Sequence, residues 1–232
     1  MRIWDISPGY LNRQSLLGEH RELHGIVSII INKKKGYAKH PETIRWVGYG
    51  WALRMRHKQL AREMALRGYR DRSPVKTRSN KGQWPATYID SPHRQFSLLK
   101  EKYKDREQGR IPLPQNAQQL WSHHKYSVLA RNPELYKKTG QEVSRTAVTL
   151  SSLSRLLAET LRKEPTQGGI RNAVQHMWGY VSKYSGEKQT NISNWSLQRV
   201  LSETQKRAMA NNCTYLIHST ALSELMVWLS DA

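Results

Sequence analysis

The stretch "LNRQSLLGEHRELHGIVSIIIN" (residues 11–32) decides how the first half of this chain folds. At roughly 100° per residue, Leu16, His20, Leu23, Val27, Ile30 and Ile31 fall on one stripe, which predicts an amphipathic helix from about Leu11 to Asn32. Within it, "LLGEHRELHG" (16–25) packs two carboxylates, two histidines and an arginine into three turns. Glu22 lies about 140° from the centre of the stripe, so packing does not demand it. Arg21 and Gln14 fall near one another on the polar side, within about 100° of Glu22. One face thereby offers an acid, a guanidinium and an amide together. His20 sits inside the stripe and reads as a core histidine. A solvated helix face would account for the rest equally well, so the remainder of the chain has to decide.

Upstream, Ser7-Pro8-Gly9 punctuates the N-terminal segment, and downstream "NKKKGY" (32–37) ends the helix in a basic loop. The apolar pattern predicts a second helix from about Thr43 to Arg67, with Gly68 as its C-terminal stop. Residues 70–90 are rich in Pro, Gly, Ser and basic side chains and read as a loop. A third helix is expected from Pro92 to about Gln108. "GRIPLPQ" (109–115) is the best boundary, dividing the chain into domains 1–110 and 111–232. Beyond it, helical segments are expected near 115–130, 133–163, 168–185, 194–211 and 214–230. No strand pattern and no fixed-period repeat is visible, so the expected fold class is all-α, in two helical units with three helices in the first.

Charge narrows the partners. Lys and Arg number 38 against 18 acids, a formal charge of +20. Residues 1–110 carry 24 basic and 10 acidic side chains, and residues 111–232 carry 14 and 8, so the first half is the expected polyanion reader. Eight Trp and eleven Tyr argue for packed domains over a tail-like binder. The lone Cys213 excludes an intrachain disulfide and any cysteine-based zinc site, and neither a metal nor a cofactor is expected. No apolar run nears the roughly 20 residues needed to span a bilayer, and "MRIWDISPGY" has no signal-peptide core. A cytoplasmic, nucleoid-associated monomer is therefore expected.

Three motifs carry a resemblance. They are the start "RI" (Arg2, Ile3), the run Q-x-L-x-x-E-x-REL (Gln14, Leu16, Glu19, Arg21, Glu22, Leu23), and LR-x-R-x-x-x-L-x-x-E…RG-aromatic (Leu53 to Tyr69). A basic third helix opening at "YIDSP" fits as well. Together they closely resemble the phage-type endonuclease V family, pyrimidine-dimer DNA glycosylases with AP-lyase activity, over roughly residues 1–110. That resemblance implies a nucleophile at the chain's own α-amine, which here belongs to Met1, retained because Arg2 is large. An α-amine ionises at about 7.7–8.0, against about 10.4 for a lysine, so a useful neutral fraction exists at pH 7. It implies attack on the deoxyribose anomeric carbon, loss of the base and a Schiff base. Glu22 matches the family's catalytic carboxylate, and Arg21 and Gln14 match positions that hold kinked DNA, with Arg2 joining them at a phosphate. Lys33, Lys34, Lys35, Arg54, Arg56 and Arg94 are expected backbone contacts.

The chain also departs from the pattern. Met1 replaces a small residue, His20 an aromatic and Ser15 a histidine, Gly25 stands where a basic residue is expected, and the aromatic tail of the short enzymes is absent. The implied partner is damaged double-stranded DNA. A glycosylase for another lesion, or a non-catalytic nucleic-acid-binding protein keeping the fold, stay open.

The second half is similar to the YbgA-type domain of unknown role, over about residues 118–230. It carries His124-Lys125-Tyr126, Gly140, Pro165-Thr166, Asn172, His176 and Gly179-Tyr180. His124, Lys125, Asn172 and His176 are its candidate site residues, and Asn172 and His176 share a helical face. Gly168-Gly169 before "IRNAVQHMWGY" could open a helix N-terminus to an anion. A structural unit, an accessory nucleic-acid module and a separate small-molecule site remain open, and Trp121, Tyr126, Trp178 and Tyr180 read as core.

Overall fold

The computed structural model describes residues 1–184 and 192–229, and every regular element among them is helical, as the sequence leads one to expect. The last residues of two expected segments, 185 and 230, lie outside the described residues. The chain divides into two compact units, Met1–Gly109 and Arg110–Ala232.

The first unit has a single 3-10 turn at Pro8–Tyr10, then α1 (Arg13–Ile31), α2 (Pro41–Trp46), α3 (Gly50–Leu66) and α4 (Pro92–Lys102). The Asn12 side chain accepts a hydrogen bond from the Ser15 amide at 2.9 Å and starts α1. The buried face of α1 is Ser15, Leu16, Glu19, Leu23 and Ile26, while Ile31 is 58% exposed. That face is turned by about 60° from the apolar stripe. The turn has a cause in Glu19, which is drawn inward by Arg56 of α3.

The expected second helix is two. Val47 is extended and Gly48 takes φ +86°, a left-handed conformation that L side chains resist. Gly50 then starts α3 against the 70–90 segment so closely that a Cβ there would lie 2.6 Å from Ser79 Oγ. That segment has no helix but is well anchored. Trp51 N donates to Ser79 O at 2.9 Å, Thr77 Oγ1 to Gly50 O at 2.7 Å, and Trp84 meets Trp46 and Trp51 edge-on. The core closes on Ile3, Tyr10, Leu11, Leu23, Trp46, Leu53, Leu60 and Leu99, all essentially buried.

The second unit contains α5 (Ala117–Leu129), α6 (Pro133–Ser144), α7 (Leu150–Leu161), α8 (Gln167–Val181) and α9 (Leu197–Ala210), followed by short turns at Thr214–Ile217 and Ala221–Glu224. The single expected segment 133–163 breaks after Ser144, where Thr146 takes φ +54°. Leu120, Val128, Leu153, Ile170, Val174, Met177, Leu201 and Leu222 build its core. At its centre Arg131 meets Glu224 at 2.5 Å, with both side chains buried.

Candidate active site

The first eleven residues have no helix beyond one 3-10 turn, so side chains must satisfy their backbone groups. Three arginines do so. Arg45 donates to Ile3 O at 3.0 Å and to the Asp5 carboxylate at 2.9 Å. Arg56 donates to Ile6 O at 2.9 Å, and Arg67 to Leu11 O at 2.7 Å and Gly9 O at 3.1 Å. Each guanidinium is also neutralised by a carboxylate, on Glu42, Glu19 and Glu63 respectively. From α4, the Gln95 side-chain oxygen accepts from Asp5 N at 2.8 Å. The segment is therefore fixed along almost its whole length.

Its start lies along α1. Arg2 N donates to Glu22 Oε2 at 2.5 Å, and Trp4 N to Glu19 Oε1 at 3.1 Å. Alternate amides of an extended segment share a side, and so do residues three apart on a helix, which explains the pairing of 2 with 22 and 4 with 19. Successive backbone nitrogens are at most about 3.6 Å apart, so the Met1 amine lies within about 6 Å of the Glu22 carboxylate. Full burial pushes the Glu19 carboxyl above its ordinary range, while Arg56 pulls the other way through two hydrogen bonds of 2.7 and 2.9 Å. Glu19 and Glu22 thus differ in kind, one locked in the core and the other half-exposed beside the chain start. Both face a cleft of about 350 Å³ whose rim also includes Gln14, Gly18, Leu98 and Lys102.

The expected DNA ligands separate. Gln14 and Arg21 are exposed on α1, Lys33, Lys34 and Lys35 on the following loop, and Arg94 on α4. Arg54 is half-buried, with its Nε lacking a hydrogen-bond partner. One expectation needs correction. Arg56 cannot meet a phosphate, because it is 3% exposed and its guanidinium is engaged by Glu19, Ile6 and Gln59. The Arg2 guanidinium, on the rim of the cleft, pairs with Asp90 at 2.7 Å and lies over Trp4. Arg45, Arg67 and Lys102 were not anticipated. The first two carry no signal in the sequence beyond being arginines, while Lys102 belongs to the basic third helix.

On the other side of α1, His20, His24, His57 and Asp71 converge, their potential ligand atoms all within 4.8 Å of one another. Burial pushes the His57 imidazole down to about 4. His20, expected in the core, sits at the edge of the buried face and hydrogen-bonds Asp71 at 3.2 Å.

In the second unit, His124 is buried, with Nδ1 3.4 Å from Thr220 Oγ1, and Lys125 lies over Tyr126 and Tyr215. Asn172 is half-buried and His176 exposed, so the four candidates occupy different surroundings. The α8 N-terminus is not an open anion site. The Thr166 side chain already accepts from Gly169 N at 3.0 Å, and a Cβ on Gly169 would lie 2.0 Å from Ala130 O. Trp121, Tyr126 and Trp178 are core residues, whereas Tyr180 is 43% exposed.

The first unit is thus all-α, with its first residues held beside a carboxylate carried on α1, in a strongly basic chain. Residues 1–77 match the family model described as pyrimidine dimer DNA glycosylase. Residues 125–219 match a second model, described as a protein of unknown function. No curated protein and no solved structure gives a significant match. At family level, the role attached to the N-terminal segment is that of a pyrimidine dimer DNA glycosylase. The matched segment ends before α4, which supplies Leu98 and Lys102 to the cleft.

Proposed function

We propose that residues 1–110 form a DNA glycosylase with AP-lyase activity that excises damaged bases, UV pyrimidine dimers first, from duplex DNA. The observation that carries this reading is the 2.5 Å hydrogen bond from Arg2 N to Glu22, which brings the Met1 amine beside a carboxylate at the edge of a cleft. In the mechanism, the neutral amine attacks C1′ of the damaged nucleotide. The N–C1′ bond forms as the glycosidic bond breaks, and its electron pair leaves with the base. The amine then loses its proton and the sugar ring opens to a protonated Schiff base. Glu22 stabilises the cationic sugar in the transition state and exchanges protons with the sugar oxygen. Removal of a C2′ proton expels the 3′ phosphate by β-elimination, and water releases the amine.

Gln14 and Lys102 line the approach to this site, and Arg21 on the same helix, Lys33–Lys35, Arg54 and Arg94 are the phosphate contacts. Lesions that weaken stacking lower the cost of extruding a nucleotide and so favour capture. The residues of 111–232 are an accessory helical domain, and the whole acts as a monomer on cytoplasmic, nucleoid DNA.

Borohydride trapping on UV-irradiated and abasic duplexes tests the reading. The wild type is expected to give a covalent adduct. Glu22→Gln is expected to slow strand cleavage by about 10²–10⁴-fold, the usual scale for general acid–base groups. Adding one residue before Met1 is expected to abolish trapping. Salt-sensitive binding with no adduct would instead mark a non-catalytic DNA-binding protein.

A further inference from the structure

A second constellation sits on α1, about 160° around the helix from Glu22, where the chemistry proposed above has no use for it. His20 and His24 are one turn apart on α1, His57 comes from the middle of α3, and Asp71 from the loop that follows α3. Their rings stand 4.7–5.0 Å apart, centroid to centroid. Asp71 Oδ1 lies 3.2 Å from His20 Nε2, and Asp71 Oδ2 lies 3.6 Å from His57 Nε2. Three imidazoles crowded around one carboxylate are poorly served as a hydrogen-bond network. Asp71 reaches His20, and Ser73 Oγ reaches His24 Nε2 at 3.3 Å. His57 Nε2 is buried, points at the carboxylate and has no hydrogen-bond partner. A buried ring nitrogen left this way needs a reason.

We propose that His20, His24, His57 and Asp71 form a divalent metal site of the zinc class, closed by four protein ligands. The donor set is the one that suits it: neutral imidazoles and a carboxylate favour zinc and its first-row neighbours over calcium or magnesium, which take oxygen ligands. Spacing fits as well. Ligand distances of about 2.0–2.2 Å around a tetrahedral zinc put neighbouring donors about 3.3–3.5 Å apart. The His20–Asp71 and His57–Asp71 separations already lie near that value, and the remaining pairs, at 4.8 Å or less, close up by rotation of half-buried rings. The ion supplies the partner that His57 lacks.

Four ligands from three stretches of chain make this a structural clamp, because a catalytic zinc keeps an open position. It pins the loop after α3 to the helix that carries Arg21 and Glu22. The site does not depend on the glycosylase reading, since it is defined by metal affinity alone.

The test uses the full chain, stripped with chelator and titrated with Co²⁺ alone, then with Zn²⁺ in competition. The expected result is intense visible d–d absorption of four-coordinate cobalt, saturating at one ion per chain and bleached by zinc. His57→Ala is expected to remove that spectrum. Asp71→Asn, which keeps size at a partly exposed position, is expected to weaken cobalt binding at least tenfold and preserves the reading if the His57 variant fails to fold. Circular dichroism reports folding in each case. Absent absorption, or the weak bands of six-coordinate cobalt, would overturn the proposal in the wild type itself. Unchanged affinity in a folded Asp71→Asn protein would overturn it too. None of these readouts involves DNA.

Discussion

The two units bury polar groups in opposite ways. In the first, Arg45, Arg56 and Arg67 each combine a carboxylate with one or more carbonyls of residues 3–11, so buried charge serves to hold an irregular segment. Among the described residues of the second, the buried polar centre is the ion pair of Arg131 with Glu224, beside the uncharged His123, His124, Ser127 and Thr220. Arg131 also donates to carbonyls, but these belong to helix ends: Ser127, Leu161 and Lys163. Buried ion pairs are weak devices for stability and better ones for specificity of geometry. The contrast therefore separates a unit whose buried charge fixes the irregular residues 3–11 from one whose buried charge closes helix ends on each other.

The sharpest way to break this comparison is Arg56→Ala. It leaves Glu19 buried without its partner, to be held uncompensated or to take up a proton, and breaking a buried pair costs about 3–5 kcal/mol. Hydrogen exchange is expected to rise across residues 1–31, with the second unit unaffected. Equal loosening of both units would refute the separate roles.

Acid is expected to act on the second unit with a somewhat smaller effect. Burial holds His124 down to about 3 and His123 to about 4, so the folded unit excludes protons that the unfolded chain binds near 6.5. Folded values below unfolded ones mean stability is complete above about pH 6.5 and is lost as pH falls towards 4 and then 3. At pH 4.5 the loss is about 2–3 kcal/mol per imidazole. Thermal melts from pH 7.5 to 4.5 measure it, and His124→Asn is expected to flatten the slope. A pH-independent melt would show that these imidazoles are not the source.

Smallest is the effect of replacing Lys33, Lys34 and Lys35 by alanine. Exposed lysines position DNA without reading it, so affinity is expected to drop alike for damaged and undamaged duplexes. The slope of log K against log salt would fall by about 0.9 for each phosphate that these ammonium groups no longer neutralise. An effect confined to damaged DNA would move these lysines from the backbone to the lesion.

Much of this was legible in the sequence. Periodicity marks α1, α5, α8 and α9, but it runs α6 into α7 and reads the short turns after α9 as one segment. Periodicity misplaces the buried face of α1 because it counts Glu19 as polar, whereas Arg56 makes that carboxylate a core residue. It joins α2 to α3 because Gly48 and Gly50 lie within an otherwise helical pattern, whereas in the fold Gly48 turns left-handed beside Asn80 and Gly50 packs on Thr77 and Ser79. Arg56 reads as one more basic side chain until its burial is known. The metal constellation was half visible. His20 and His24 are an i, i+4 pair, the usual way for a helix to present two ligands, yet His57 and Asp71 join them only through the fold.

The clamped start has a final consequence for how such a chain varies over generations. Because Ile3, Ile6, Gly9 and Leu11 are each tied to a fixed guanidinium, length cannot be absorbed within this segment by slack. One codon gained or lost ahead of Ile3 would displace the leading nitrogen by as much as about 3.6 Å. An insertion or deletion between Ile3 and Leu11 would therefore break one or more of these ties, whichever side chains it brought.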